Sequence, residues 1–135
     1  MSDRIIDIEG IGPAYAAKLA ALKITTTEGL LRLCATPQGR QGTAAQSGIS
    51  EKLLLTWANM ADLMRIRGIG GQYAELLHAA GVDSIKELRT RNPENLAARM
   101  QEINAARNLT HGVIVATMVG AWIHEAQGLE PRLSY

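Results

Sequence analysis

One phrase occurs twice in this chain. Residues 8–24 read IEGIGPAYAAKLAALKI and residues 66–82 read IRGIGGQYAELLHAAGV, an offset of 58 positions. Ile8 aligns with Ile66, Gly10 and Gly12 with Gly68 and Gly70, and Ile11 with Ile69. Tyr15 and Tyr73, Ala16 and Ala74, Leu19 and Leu77, Ile24 and Val82, and Leu30 and Leu88 extend the match. An internal repeat fixes architecture before any single residue does, because one unit cannot bury its apolar face alone. The expected fold is all-α, with about eight helices and no sheet, since no period-2 alternation survives anywhere. Two fused repeats, about 5–64 and about 65–130, are expected to pack as one compact helical domain over 1–135, with pseudo-twofold symmetry.

Each copy carries a Gly-Ile-Gly turn that opens an amphipathic helix. Glycine reaches positive φ without steric cost, so the pair suits a tight hairpin between helices. Ile11 packs down between the helices, and Pro13 fits the first helical position, where its missing N–H costs nothing. The next amides point outward at a positive helix terminus, which favours a phosphate oxygen. Such a contact is made by backbone and carries no base information. In the second copy Gly71 replaces Pro13 and reads as a looser turn that brings the backbone equally close.

Helical periodicity and capping residues place the remaining elements. A helix over 13–22 follows the first turn, and Thr26 or Thr27 caps another that runs to about Cys34, with Glu28 in its first turn. Ser84 is the matching cap, with Glu87 at the third position of a capping box. TPQGRQGTAAQSG (36–48) holds three glycines and a proline and reads as a loop or broken helix. Ser50 starts a long helix through Leu53, Leu54, Trp57, Ala61 and Met64. Pro93 opens one to about Ala106, and a last one spans about Thr110 to Gln127, stopped by Gly128 and Pro131. Trp57 matches Trp122 and Ala61 matches Ala126 at an offset of 65, so the second unit holds seven extra residues.

Composition narrows the functional classes. Apolar residues make up 47% of the chain, with no Phe, a mix rich in helix-forming Ala and Leu. No run is long and apolar enough for a membrane span or a signal peptide. Cys34 is the single cysteine, which argues against a disulfide framework and for a reducing cytoplasm; in its apolar run it reads as buried. His78, His111 and His124 lack metal-ligand spacing, and no nucleophile motif or phosphate-binding Walker loop occurs. Asp7 and Asp62 each lie near one turn, too few carboxylates for a metal-dependent nuclease. The chain therefore reads as a non-enzyme without cofactor or metal. Its formal net charge is only +1, so any nucleic-acid contact must come from a local patch and be salt-sensitive.

Both copies resemble helix-hairpin-helix motifs, with Ala16 and Leu19, or Ala74 and Leu77, at the motif's small and aliphatic positions. Nearly the whole chain resembles domain-of-unknown-function family 4332, bacterial proteins with tandem hairpins of this kind, most strongly over TWANMADLMRIRGIGGQYAELLHAAGVDSIKELRTRNPENL (56–96). The resemblance implies sequence-independent nucleic-acid binding through turn amides: Gly10, Gly12 and Ala14 in the first copy, Gly68, Gly70 and Gln72 in the second. Relatives often carry Lys or Arg at the positions of Ala14 and Gln72, and turn carbonyls in relatives can hold a monovalent cation.

Lys18 adds charge near the first turn, against Glu9. Arg65, Arg67, Arg89 and Arg91 can reach phosphates flanking the second, which makes it the stronger candidate. The opposing reading pairs these arginines with Glu75, Glu87 and Glu94 on a solvated surface. Tyr15 and Tyr73 could stack on bases, but repeated aromatics are more often core, as are the tryptophans. Two rivals to nucleic acid remain. One is a protein-interaction or scaffold module, a homodimer included; the other is a small phosphorylated ligand held at one turn.

Overall fold

The computed structural model describes residues 3–135 as eight α-helices and one short 3-10 helix, Ile5–Asp7. The α-helices are α1 (Pro13–Ala20), α2 (Thr27–Cys34), α3 (Pro37–Ser47), α4 (Glu51–Leu63), α5 (Gly71–Ala79), α6 (Ile85–Leu88), α7 (Pro93–Arg107) and α8 (Ala116–Gln127). No strand occurs among the described residues; one isolated antiparallel bridge, Arg4 to Thr26, ties the first turn's approach to the start of α2. The all-helical expectation holds.

Side-chain caps set most helix starts. Thr26, Ser50, Ser84 and Asn92 each accept a hydrogen bond from the third amide of α2, α4, α6 and α7. Each satisfies a donor that the helix itself cannot. At α6 the Ser84 half of the box is present, while the Glu87 carboxylate is turned toward Arg91 at 2.8 Å.

Residues 36–48 are not a loop. Thr36 caps α3 by accepting from the Gly39 N–H, Pro37 takes the first turn, and Gly48 ends the helix at φ +75°. Of the glycines that read as breakers, Gly39 serves packing: a Cβ there would collide with the Leu33 carbonyl, so α3 lies close on the end of α2. Tertiary contact overrides the helix penalty of glycine here. The last helix also starts later than expected, at Ala116, because residues 110–115 are irregular, with a bend at His111–Gly112.

A single apolar core runs through both halves, including Leu19, Leu30, Leu54, Leu63, Leu77, Leu88 and Val119, all inaccessible to solvent. Cys34 belongs to it, and burial pushes its thiol pKa upward, as befits an inert core residue. Trp57 and Trp122 are buried, and each meets a tyrosine edge-on. Tyr15 lies 5.0 Å from Trp57 and Tyr73 lies 5.2 Å from Trp122, centroid to centroid. The repeated aromatics are therefore packing pairs.

Candidate nucleic-acid interface

The two glycine turns are near copies. Gly10 sits at φ +96° and Gly68 at φ +92°, conformations that cost glycine nothing and other residues much. Each also faces an indole: a Cβ would come within 3.4 Å of Trp57 Nε1 at Gly10 and 3.1 Å of Trp122 Nε1 at Gly68. The amides of Ile11 and Ile69 close the turns on the carbonyls of Ile8 and Ile66, both at 3.1 Å. Ile11 and Ile69 point into the core. Gly12 and Gly70 then start α1 and α5 with extended backbone and no side-chain cap. The first amides of both helices, those of Ala14 and Tyr15 and those of Gln72 and Tyr73, have no acceptor within their helix.

What surrounds the turns differs. Gly71 is not a loose substitute for Pro13. A Cβ there would collide with the Asp7 carbonyl oxygen, so the second turn is pressed against the segment that leads into the first. The second turn and the segment leading into the first share an open cavity of about 530 Å³, lined by Asp3, Asp7 and Glu9 on one side and by Gly68, Gly70, Gly71 and Gln72 on the other. Glu125 adds a further carboxylate, accepting from the Arg67 N–H at 3.3 Å. On its remaining side α5 meets the irregular segment that follows α7. Thr110 donates to the Gln72 side chain (3.1 Å), and Tyr73 donates to the Val113 carbonyl (2.8 Å). This segment accounts for most of the seven extra residues, since Gly48 and Ser50 leave only one residue between them where Asn108 and Val115 leave six.

The arginines around the second turn are mostly engaged. Arg65 is paired with buried Asp62 at 2.6 Å and also donates to the Glu130 carbonyl. Arg89 caps the end of α8, donating to the carbonyls of Ala126 and Leu129. Arg91 bridges Glu87 and the Gly81 carbonyl, holding the turn after α5. Arg65 and Arg67 line an open cavity with Gly68, Ile69 and Gly70, whereas Arg89 and Arg91 do not. Arg67 alone of the four is exposed with no ion pair among the described residues. The Arg91–Glu87 pairing is the one foreseen on a solvated surface; the carbonyl roles of Arg65 and Arg89 have no signature in sequence.

A family model covers most of the chain. The description it carries is Domain of unknown function (DUF4332), and it matches residues 9–129. The chain belongs to this family. Its matched region takes in both glycine turns and stops at Leu129. No curated protein and no solved structure matches this DUF4332 chain.

The first turn lies open. Nothing lies within 4 Å of a Cβ placed at Gly12, as at Gly70, and Gly10, Gly12, Pro13 and Ala14 are all exposed, where Gly71 in the second turn is half-buried. One helical turn on, α1 presents Ala17 and Lys18, both exposed, where α5 has half-buried Glu75 and fully buried Leu76. Lys18, in the last turn of α1, holds its Nζ 5.8 Å from the Tyr15 ring centroid. Small side chains and an uncapped start lie at one end of α1, with one lysine farther along the same helix.

Proposed function

We propose that this protein is a non-enzymatic module that holds a nucleic-acid phosphodiester backbone, without reading bases, at its first Gly-Ile-Gly turn. The observation that carries the reading is the exposed, uncapped start of α1 with its Ala14 and Tyr15 amides, and Lys18 lies farther along the same short helix. Unpaired amides at a helix terminus suit an anion, and a nearby ammonium adds a point charge. Ala14 and Ala17 leave room for a sugar-phosphate chain. The second turn reads better as scaffold: its amides face carboxylates and an overlying segment, and its arginines brace other parts of the fold. The same reading puts the protein in the cytoplasm.

Glu9 sits beside the binding turn and opposes it, so binding should be modest and strongly salt-dependent. The test is fluorescence anisotropy of a labelled duplex and a labelled single strand from low to moderate salt. Lys18→Glu should weaken binding by about 10-fold and reduce the salt slope. Glu9→Gln should tighten it, and Arg91→Glu should leave it nearly unchanged. No binding at low salt, or equal losses in Lys18→Glu and Arg91→Glu, would remove the reading and leave a scaffold module.

A further inference from the structure

Beyond α8, residues 129–135 run as an irregular strap across α4 and α2 to the start of α3. The buried polar side chains of the protein are Thr27, Arg40, Thr43, Asn59, Asp62 and Thr110. Three of them find partners on this strap. Asp62 accepts from the Arg132 N–H at 3.1 Å, Arg40 donates to the Ser134 carbonyl at 2.8 Å, and Asn59 accepts from the Tyr135 hydroxyl at 2.5 Å. The Ser134 N–H donates to the Ala35 carbonyl at 2.8 Å, so Ser134 is held by both of its backbone groups. Leu133 is buried between these contacts, and the Arg132 guanidinium pairs with Glu28 at 2.7 Å. Backbone bonds flanking one inward side chain, here Leu133 with Tyr135 left largely exposed, are a pattern by which a groove holds a peptide segment.

An empty groove would leave Asn59 without its Tyr135 partner and Arg40 with only the Cys34 and Ala35 carbonyls. The strap is held chiefly by polar contacts, with Arg89 and Arg65 also donating to the Leu129 and Glu130 carbonyls. Leu133 is its one buried apolar side chain, and the Glu130–Pro131 step before the groove contacts is partly exposed. Segments with few buried apolar contacts open well below the global unfolding free energy.

We propose that this groove accepts an extended peptide in trans, and that its occupant is the same strap from a second copy of the chain. Exchange keeps every contact and changes only which chain supplies it, the condition under which swapping is inexpensive. Tethering gives the resident strap an effective concentration near the millimolar range, so exchange is rare at micromolar protein and grows toward ~1 mM.

The test uses two full-length chains in a Cys34→Ala background, one carrying Ala35→Cys and the other Ser134→Cys. Oxidation should give a disulfide-linked pair whose yield rises with concentration and drops at least ~5-fold with excess LEPRLSY peptide, as expected for competition at one site. Pairing Ser134→Cys with Lys86→Cys should give none. No linked product above that control at ~1 mM would overturn the proposal.

A second measurement leaves the core cysteine in place. Labelled LEPRLSY should bind Leu133→Ser, whose resident strap is loosened, at least ~10-fold more tightly than it binds the unaltered chain, because the tethered competitor is weakened. Equal binding to both, or to neither, would also overturn it.

Discussion

At Gly71 a β-carbon would run into the Asp7 carbonyl oxygen, whereas at Gly12 it would meet nothing within 4 Å. Both residues have ordinary negative-φ backbone, so the contrast is one of space alone. Gly71→Ala should therefore destabilise the fold by about 2 kcal/mol or more, as forced overpacking does, while Gly12→Ala should stay within ~0.5 kcal/mol. Urea denaturation of both variants reads the difference directly.

A converse case is Lys23, which ends the first unit's helix at φ +64° where the aligned Gly81 sits at +94°. Lys23→Gly should stabilise the protein by about 0.5–1 kcal/mol, seen as a raised denaturation midpoint. The positive-φ roles of Gly10 and Gly68 were legible because the turn chemistry is local. The role of Gly71 was not, because it depends on Asp7, distant along the chain and silent in a helical pattern.

Capping residues and apolar spacing gave α2, α4, α6 and α7 nearly to the residue, since those signals are written within one turn of each helix. The misreading of 36–48 has the opposite origin. Its glycines look like breakers until α2 is laid beside them and leaves no room for a Cβ at Gly39. The strap escaped notice for a similar reason: its partners are Glu28, Ala35, Arg40, Asn59 and Asp62, gathered from three helices and the α2–α3 junction.

The hydrogen bond from Arg132 holds the Glu28 carboxyl below the usual carboxylate range. A lowered folded-state pKa contributes stability above the unfolded value, near pH 4, and loses it as pH falls through the folded value. Glu28 is substantially exposed, so the contribution is below ~1 kcal/mol. Glu28→Gln should be slightly less stable than the unaltered chain at pH 7 and indistinguishable from it by pH 3, measured by parallel denaturation series.

Across the whole molecule, duplication produced two turns of one geometry and two different surroundings. Carboxylates, a neighbouring backbone and an inserted segment flank the second turn, whose Gly68, Gly70 and Gln72 stay exposed. The first keeps small residues, Lys18 and open space. Sequence favoured the second because arginines cluster near it, yet a count of arginines does not reveal that Arg65, Arg89 and Arg91 are spent on Asp62, helix-end carbonyls and Glu87.

The near-zero net charge, 14 basic against 13 acidic residues, sets the expected weakness of binding. The most direct test is an amide NMR titration with a short duplex at low salt. The account predicts shifts concentrated at Gly12, Ala14, Tyr15 and Lys18 that revert as salt is added. Shifts centred on Gly70, Gln72 and Tyr73, or none at all, would contradict it.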